Sequence, residues 1–361
     1  QKTSAVKDLT GGIEYLFMGV LGGMGQVWGA ITGAALVKIL EERLQQWLPL
    51  LTGSTGNYEV IVFGVVLVLV LHYARDGVWA FIESRLPPRQ RKVDWNGAAP
   101  LPQRAPPARG ELVLDVQGVR KEFGGLVAVK DVSFQVRAGE IVSLIGPNGA
   151  GKSTTFNLLS GVLPVSGGEV RFLGERLTGL GARSIAKRGV SRTFQHVKLI
   201  PGMSVLENVA LGAHLRGASG VLAATLRLER SEERRLLCEA ERQLTRIGIA
   251  QHAHQPAANL ALGQQRLLEI ARALCADPAL LLLDEPAAGL RHLEKKALVD
   301  VLRQLRAQGL SVLLVEHDMD LVMEVADRIV VVECGTKLLE GSPAEVQASE
   351  AVRAAYLGTE H

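Results

Sequence analysis

A glycine-rich stretch at residues 146–154 carries the clearest chemical signal in the sequence. It follows the apolar run Ile141–Ile145, which is typical of a buried strand, and it precedes Thr155–Leu159, which suits the start of a helix. A strand, a glycine loop and a helix N-terminus together form a cradle of backbone N–H groups for phosphate, the P-loop. We expect Lys152 to reach the β- and γ-phosphates of a nucleotide, and the Ser153 hydroxyl to hold Mg²⁺. The residues expected to bind the nucleotide here are Gly146, Pro147, Asn148, Gly149, Ala150, Gly151, Lys152, Ser153 and Thr154.

Two further strand-like runs end in residues that complement such a loop. Ala279–Leu283 is apolar and is followed by Asp284 and Glu285. Asp284 is placed to reach the Mg²⁺ shell and Glu285 to polarise an attacking water. Adjacent acids at a strand end can also be solvated turn residues, and seen alone the pair leaves that alternative open. The run Ser311–Val315 precedes His317, which could sense a γ-phosphate but which, taken alone, reads as structural or incidental.

The order of these segments is more specific than any one of them. Residues 259–266 run into an amphipathic helix that reaches Leu274, and they resemble the signature motif of the ATP-binding cassette (ABC) family. Residues 193–195, Thr-Phe-Gln, resemble the glutamine loop of that family. The P-loop, glutamine loop, signature, acidic strand and histidine loop follow in the order and spacing of the family, and the resemblance covers roughly residues 112–358.

This resemblance implies roles for individual residues. The implied catalytic residues are Lys152, Gln195, Glu285 and His317, with Gln195 and His317 positioning water and the γ-phosphate. The implied Mg²⁺ ligands are Ser153, Asp284 and Gln195. Phe123 stands where the family usually has a tyrosine that stacks on adenine, and core packing is the alternative reading of its ring. In a head-to-tail pair of cassettes, the signature residues Ala261, Leu262, Gly263 and Gln264 would bind the ATP of the partner.

Finer features resemble the ATP-binding subunit of branched-chain amino acid importers. They are Leu290 after Pro286–Gly289, the segment Glu316–Met319, and the ending Ala355–Gly358. The implied partners are a second, different cassette, permease subunits and an extracytoplasmic solute-binding protein. The implied location is the inner (cytoplasmic) membrane, with the ATPase on the cytoplasmic side. Two departures from the family pattern are Ala261, where the general signature has serine, and Arg291, where aspartate or asparagine is usual.

The bulk composition excludes several other classes. The chain has 361 residues, which favours two domains over one, and 40 basic against 37 acidic side chains. No basic block is long enough to suggest nucleic-acid binding. The three cysteines, Cys238, Cys275 and Cys334, lack metal-binding spacing and are odd in number, so we expect reduced structural thiols.

The first 82 residues hold the apolar excess behind the mean hydropathy of +0.18. Gly12–Leu40 is apolar and rich in glycine, a composition that suits close helix contact in lipid. Tyr58–Ala74 has a continuous apolar centre and just reaches the length of a membrane span. Basic residues follow it, which places that end in the cytoplasm. They are Arg75, Arg85, Arg89, Arg91 and Lys92. A buried helical hairpin of a soluble domain is the alternative.

The apolar segment also resembles a known protein. Gly22–Gly25 with Trp28 and Gly33 is similar to the C-terminal part of the branched-chain amino acid permease subunit. The chain therefore resembles a permease–ATPase fusion that lacks its beginning, and Gln1 in place of methionine fits a truncated or processed start. Residues 87–110 hold six prolines and predict a semi-extended linker.

We therefore predict an α/β P-loop ATPase, an ABC cassette with an antiparallel β-lobe and a helical subdomain, preceded by an α-helical transmembrane segment. The predicted domains are residues 1–86, the permease fragment; 87–110, the linker; and 111–361, the ATP-binding domain. Arg227–Arg246 should form a helix of the helical subdomain with a solvated charged face. The alternatives are another ABC importer or exporter, a soluble ABC ATPase acting on ribosomes or DNA, and a non-hydrolysing regulatory cassette, which Glu285 and His317 argue against.

Overall fold

The protein is described here as a computed structural model. It describes residues 15, 17–23, 27–52, 64–65, 68–69, 72–73, 77–85, 98–195, 197–217 and 230–357. The chain divides into two compact units, Gln1–Lys92 and Val93–His361.

The first unit is helical where it is described. Helix α1 spans Val27–Thr52 and helix α2 spans Val78–Arg85, while residues 17–22 are also helical. Glycines let these segments approach closely: a Cβ added at Gly22 would overlap the Gly29 carbonyl oxygen, and one at Gly33 would overlap the Met18 carbonyl oxygen. The predicted close packing through glycine is thus confirmed at these positions, whereas Gly19 has no atom within 4 Å of such a Cβ.

Within the described ranges, no helix combines the length and the apolar character needed to cross a membrane. The predicted span Tyr58–Ala74 lies mostly outside the described residues.

A ten-stranded sheet dominates the second unit, with the strand order β5-β4-β1-β2-β10-β9-β3-β8-β7-β6. One end is antiparallel because β1 pairs with both β2 and β4, and β4 pairs with β5. The strand bounds are β1 Leu112–Phe123, β2 Leu126–Arg137, β3 Ile141–Ile145, β4 Gly167–Phe172, β5 Glu175–Arg176, β6 Val190–Arg192, β7 Leu280–Asp284, β8 Ser311–Val315, β9 Arg328–Glu333 and β10 Thr336–Gly341.

The other end of the sheet is parallel and positions the functional residues. Strand β3 lies between β8 and β9, and β7 lies between β6 and β8, all in parallel register. Every residue of β3, β7 and β8 is buried, as expected for apolar strands covered on both faces. The carboxyl ends of β3, β6, β7 and β8 therefore meet at one edge, which is where open α/β sheets bind ligands.

Helices cover the parallel strands and form a separate helical layer. They are α3 Lys152–Leu159, α4 Ala182–Arg188, α5 Val205–Ala210, α6 Arg230–Arg246, α7 Leu262–Leu274, α8 His292–Ala307, α9 Met319–Val325, α10 Pro343–Ala348 and α11 Glu350–Leu357. One core cluster runs from α5, α6 and α7 to β7 and α8. The predicted α/β class, the antiparallel lobe and the helical layer are all present.

Helix α6 differs in one respect from its predicted solvated face. Glu239 on this helix is 3% exposed, and its Oε1 accepts hydrogen bonds from Arg242 at 2.8 Å and Gln243 at 2.7 Å. Arg216 Nη1, from the 3₁₀ helix before α6, lies 3.4 Å from the same oxygen, Glu239 Oε1. Part of the charge on α6 therefore forms a buried, paired network, which helical periodicity alone could not reveal.

Residues 98–110, from the segment predicted as a linker, belong to the second unit and form a strap along the rest of it. Leu101 is 4% exposed and belongs to the core cluster that runs from α5, α6 and α7 to β7 and α8. Arg216 Nη2 donates a 2.7 Å hydrogen bond to the Pro102 carbonyl. The strap thus contacts the helical layer at its first half.

Arg104 anchors the same strap to the sheet side. Its guanidinium donates to the carbonyl oxygens of Lys187 and Arg188, both at 2.8 Å, and to that of Asp277 at 3.1 Å. Its backbone N–H donates to the Asp277 carboxylate at 2.5 Å. The strap therefore contacts the helical layer through Arg216, and the end of α4 and the turn before β7 through Arg104.

Candidate functional site

The glycine loop after β3 can form only with glycine at two of its positions. A Cβ at Gly146 would overlap the Val332 carbonyl oxygen, and one at Gly151 would lie 2.6 Å from the Ala128 carbonyl oxygen, where φ is +95°. Gly151 caps α3 without a side-chain hydrogen bond. The first N–H groups of α3 are therefore left to an external acceptor, as a phosphate site requires.

Lys152, the first residue of α3, lies buried beneath this loop. Its Nζ donates to the carbonyl oxygens of Gly146 at 2.6 Å and Pro147 at 2.9 Å. Burial lowers the pKa of Lys152, while the Glu285 carboxylate acts to raise it. The Lys152 ammonium is thus held under the loop by two neutral carbonyl groups. Its positive charge is therefore available to an anion bound in the loop.

Asp284 ends β7 and is held by an arginine that the sequence analysis did not single out. Arg192, at the end of β6, donates from Nη2 to Asp284 Oδ2 at 2.8 Å. Its Nη1 donates to Asn157 Oδ1 at 2.7 Å and to Ser160 Oγ at 2.8 Å, both near the end of α3. The Arg192 and Asp284 side chains are 14% and 5% exposed. This buried pair fixes the carboxylate expected to face Mg²⁺.

Glu285 and Gln195 meet directly. Gln195 Nε2 donates to Glu285 Oε2 at 3.0 Å. The Glu285 backbone has φ +46°, a left-handed conformation that costs a non-glycine residue energy and is common at functional sites. The Glu285 N–H still donates to the Val315 carbonyl at 2.9 Å. The chain therefore turns at Glu285 while it keeps its hydrogen bond to β8.

His317 lies beside the same carboxylate. Its Nδ1 is 3.9 Å from Glu285 Oε2 and 3.9 Å from Glu316 Oε2, and its side chain is 62% exposed. Glu316, in contrast, is buried, and burial raises its pKa although backbone N–H groups lower it. The structure therefore brings together Lys152, Gln195, Glu285 and His317, which were all predicted to be catalytic.

The signature segment has its own local partners. Ala261 caps α7 and is exposed, as is Leu262. The Gly263 N–H donates to Glu294 Oε1 at 3.3 Å, and Gln264 Nε2 lies 3.0 Å from His252 Nε2. These contacts leave the Ala261 and Leu262 side chains at the surface, where a second protein could meet them.

Phe123 is not a core residue. Its side chain is 43% exposed at the end of β1, and the Lys121 ammonium lies 5.1 Å from the ring centroid. An exposed ring at the tip of the antiparallel lobe suits stacking on a flat ligand better than packing. Ser153 is likewise exposed, on the first turn of α3.

Comparison with known proteins assigns the family. The ABC transporter pattern matches residues 129–288, and a pattern described as branched-chain amino acid ATP-binding cassette transporter matches residues 336–361. The high-affinity branched-chain amino acid transport ATP-binding protein LivG of Salmonella typhimurium is 46% identical over 249 residues, which are 68% of this chain and 98% of LivG. The chain belongs to the ABC transporter family.

Further relatives agree with this assignment. The ATP-binding protein BraF of Pseudomonas aeruginosa is 42% identical over 68% of this chain and 98% of its own length. A crystal structure of the ADP conformation of an ABC transporter cassette has a TM-score of 0.62 at 29% identity, covering 68% of this chain and 99% of that one. A dimeric post-hydrolysis cassette bound to ADP and Pi has a TM-score of 0.54 at 28% identity, covering 64% and 98%. The chain is an ABC-type ATPase and binds ATP.

Sequence reasoning missed Arg192, which holds Asp284, and Glu294, which accepts a hydrogen bond from the Gly263 N–H. It named Glu316 only within the segment Glu316–Met319, and not as the buried residue beside His317. Arg192 and Glu316 could have been found from the sequence, because each is a charged residue directly at the end of a short apolar strand. Glu294 lies in the first turn of α8, where its carboxylate accepts from the Arg291 N–H at 2.8 Å, and its contact with Gly263 follows only from the fold.

Proposed function

We propose that this chain is the ATP-hydrolysing subunit of an importer for branched-chain amino acids. The observation that carries the proposal is the convergence of Gln195, Glu285 and His317 next to Lys152 at the carboxyl edge of the parallel strands. The branched-chain relatives LivG and BraF support the solute class.

Each residue contributes a defined part of the chemistry. Lys152 neutralises phosphate charge from beneath the loop. Glu285 polarises the attacking water, and Gln195, which holds one of its carboxylate oxygens, orients it. His317 Nδ1 lies 3.9 Å from the same carboxylate oxygen, Glu285 Oε2, and would contact the γ-phosphate. Most of the rate acceleration then comes from positioning and charge stabilisation rather than covalent chemistry.

The residues fit Mg²⁺ as a hard cation. The Ser153 hydroxyl, the Asp284 carboxylate and the Gln195 amide oxygen would hold it, and oxygen donors of this kind suit Mg²⁺. Across the described parts of the chain, no group of three or more His, Cys, Asp or Glu side chains could hold a metal. Mg²⁺ commonly binds through few protein ligands together with substrate phosphates. Bound there, Mg²⁺ would neutralise the charge that develops on the phosphates.

The exposed start of the signature, Ala261 and Leu262, fits assembly with a second cassette. We propose that ATP closes a head-to-tail pair in which Ala261, Leu262, Gly263 and Gln264 meet the partner's nucleotide, while Phe123 stacks on this chain's own adenine. The partner would be a different cassette, and permease subunits and an extracytoplasmic solute-binding protein would complete the importer. Residues 1–86 would hold the chain at the inner membrane as a permease fragment, with residues 111–361 on the cytoplasmic side and 87–110 between them.

Uptake measurement tests the proposed solute. In cells that lack their own branched-chain uptake, the full chain with its partner subunits should restore uptake of labelled leucine, isoleucine and valine. Lys152→Ala should abolish that uptake, and Lys296→Ala, an exposed change on α8, should leave it intact. Uptake of a different solute class, with none of these three, would contradict the proposal.

Cell fractionation tests the membrane proposal separately. The full chain should sediment with membranes and need detergent for release, and a chain that starts at Val93, the first residue of the second unit, should not. A full chain that stays soluble without detergent would contradict this part of the proposal.

A further inference from the structure

Glu316 is a buried carboxylate that the chemistry described so far does not use. It directly follows β8 and is 1% exposed, and its carboxylate end is fully shielded from solvent. A buried carboxylate is costly unless hydrogen bonds satisfy it. Its partners therefore show what it is there to hold.

Those partners are backbone N–H groups from two different loops. Oε1 accepts from Ala287 N–H at 2.7 Å. Oε2 accepts from His317 N–H at 3.1 Å and more weakly from Asp318 N–H at 3.5 Å. Ala287 lies two residues after Glu285, so one carboxylate oxygen holds the loop of Glu285 and the other holds the loop of His317.

The loop of Glu285 depends on such a restraint. Glu285 sits at φ +46°, and its N–H is bonded to the carbonyl of Val315, the residue before Glu316. The Ala287 bond to Glu316 fixes the same turn two residues later. A strained turn persists only when its surroundings restrain it, and here residues 315 and 316 provide both restraints.

We propose that Glu316 is a positioning residue that locks Glu285 and His317 into one catalytic arrangement. This inference rests on the proposed roles of Glu285 and His317. The Glu316 carboxylate works as a two-acceptor bridge: it sets the spacing between the two loops, and with it the 3.9 Å approach of His317 Nδ1 to Glu285 Oε2. It touches neither the nucleotide nor the water.

The bridge makes a specific demand on the side chain at 316. A glutamine has one acceptor oxygen and one NH₂ donor, so it can hold one loop but would point a donor at the N–H of the other. An aspartate keeps both acceptors but is one methylene shorter, so it cannot reach both loops at these distances. Misplacing a catalytic group by about 1 Å costs roughly a hundredfold in rate.

The test compares Glu316→Gln and Glu316→Asp with the exposed Glu324→Gln on α9, in the full chain assembled with its partner subunits. Glu316→Gln should lower the kcat for ATP by roughly ten- to a hundredfold. The KM and the equilibrium affinity for ATP should stay within about twofold, because no nucleotide contact is lost. Glu316→Asp should also lower kcat, and Glu324→Gln should leave kcat unchanged.

A double variant distinguishes positioning from general structure. Because part of the effect of Glu316 acts through His317, adding Glu316→Gln to His317→Ala should cost less than Glu316→Gln costs alone. Full additivity, an unchanged kcat in Glu316→Gln, or ATP affinity that falls in step with kcat and melting temperature would each overturn the inference. Should Glu316→Gln fail to fold, Glu316→Asp gives the same kcat and affinity comparison.

The outcomes also separate this inference from the proposed function. If Glu285→Gln abolishes turnover while Glu316→Gln leaves it unchanged, only the role of Glu316 fails. If Glu285→Gln leaves turnover intact, the assigned hydrolysis chemistry fails, and the role of Glu316 fails with it.

Discussion

The buried pair Arg192–Asp284 gives a sharp stability prediction. Replacing Arg192 with methionine keeps much of the side-chain volume but leaves the 5% exposed Asp284 carboxylate without its cation. Breaking a buried ion pair in this way costs about 3–5 kcal/mol. The same change also leaves Asn157 and Ser160 without their shared donor, so we expect the upper part of that range.

A double-mutant cycle measures the pair itself. Asp284→Asn should cost less, about 1–2 kcal/mol, because Arg192 keeps its bonds to Asn157 and Ser160. Adding Asp284→Asn to Arg192→Met should recover part of the loss, since the double variant no longer buries an unpaired carboxylate.

Urea unfolding followed by far-UV circular dichroism gives the free energies. Arg303→Met is the matched control, because the Arg303–Glu324 pair is about half exposed on both sides and such pairs contribute at most about 1 kcal/mol. If Arg192→Met costs no more than Arg303→Met, or if the cycle shows no coupling, the reasoning about this buried pair is wrong.

Three other predictions concern binding, the strap and the dimer. Lys152→Ala should weaken ATP binding at least roughly tenfold in a fluorescent-nucleotide titration, since it removes the cation under the loop; unchanged affinity would contradict that role. Arg104→Ala should lower stability by about 1–2 kcal/mol in thermal melts without changing ATP affinity, because it loses three exposed hydrogen bonds of the strap far from the loop. In the proposed pair, Ala261 supplies no hydroxyl to the charged phosphates of the partner's ATP. A hydrogen bond to a charged group is worth about 1.5–3 kcal/mol, so the partner's ATP site should be weaker by roughly ten- to a hundredfold. Glu285→Gln should then cost more ATPase activity than the matching change in the partner, and equal costs would contradict the asymmetry.

The parallel core could be predicted because its signals are local. Leu280–Leu283 is a continuous apolar run, and the structure buries all of it as a central strand. The spacing of strand, glycine loop and lysine likewise fixes the P-loop, since close approach at Gly146 and Gly151 leaves no room for other side chains. Elements that are determined by residues adjacent in the chain, such as this strand and this loop, can thus be predicted from the sequence.

The remaining features depend on residues that are distant in the chain. Arg192 meets Asp284 across 92 positions, so its pairing follows only from the order of β6 and β7 in the sheet. The strap carries no apolar period, and its docking depends on Leu101, which joins the core cluster that also includes residues of α6 and α7. Single charged or apolar residues of this kind have no periodic signal, and only the assembled fold gives them partners.

The central claim is that Glu285 polarises water at a complete hydrolysis site. The most direct measurement is steady-state ATP hydrolysis by the assembled transporter with Glu285→Gln in this chain, together with equilibrium ATP binding. The account predicts retained ATP binding and loss of this site's turnover by orders of magnitude, because only water activation is removed. Retained hydrolysis at this site would contradict the account.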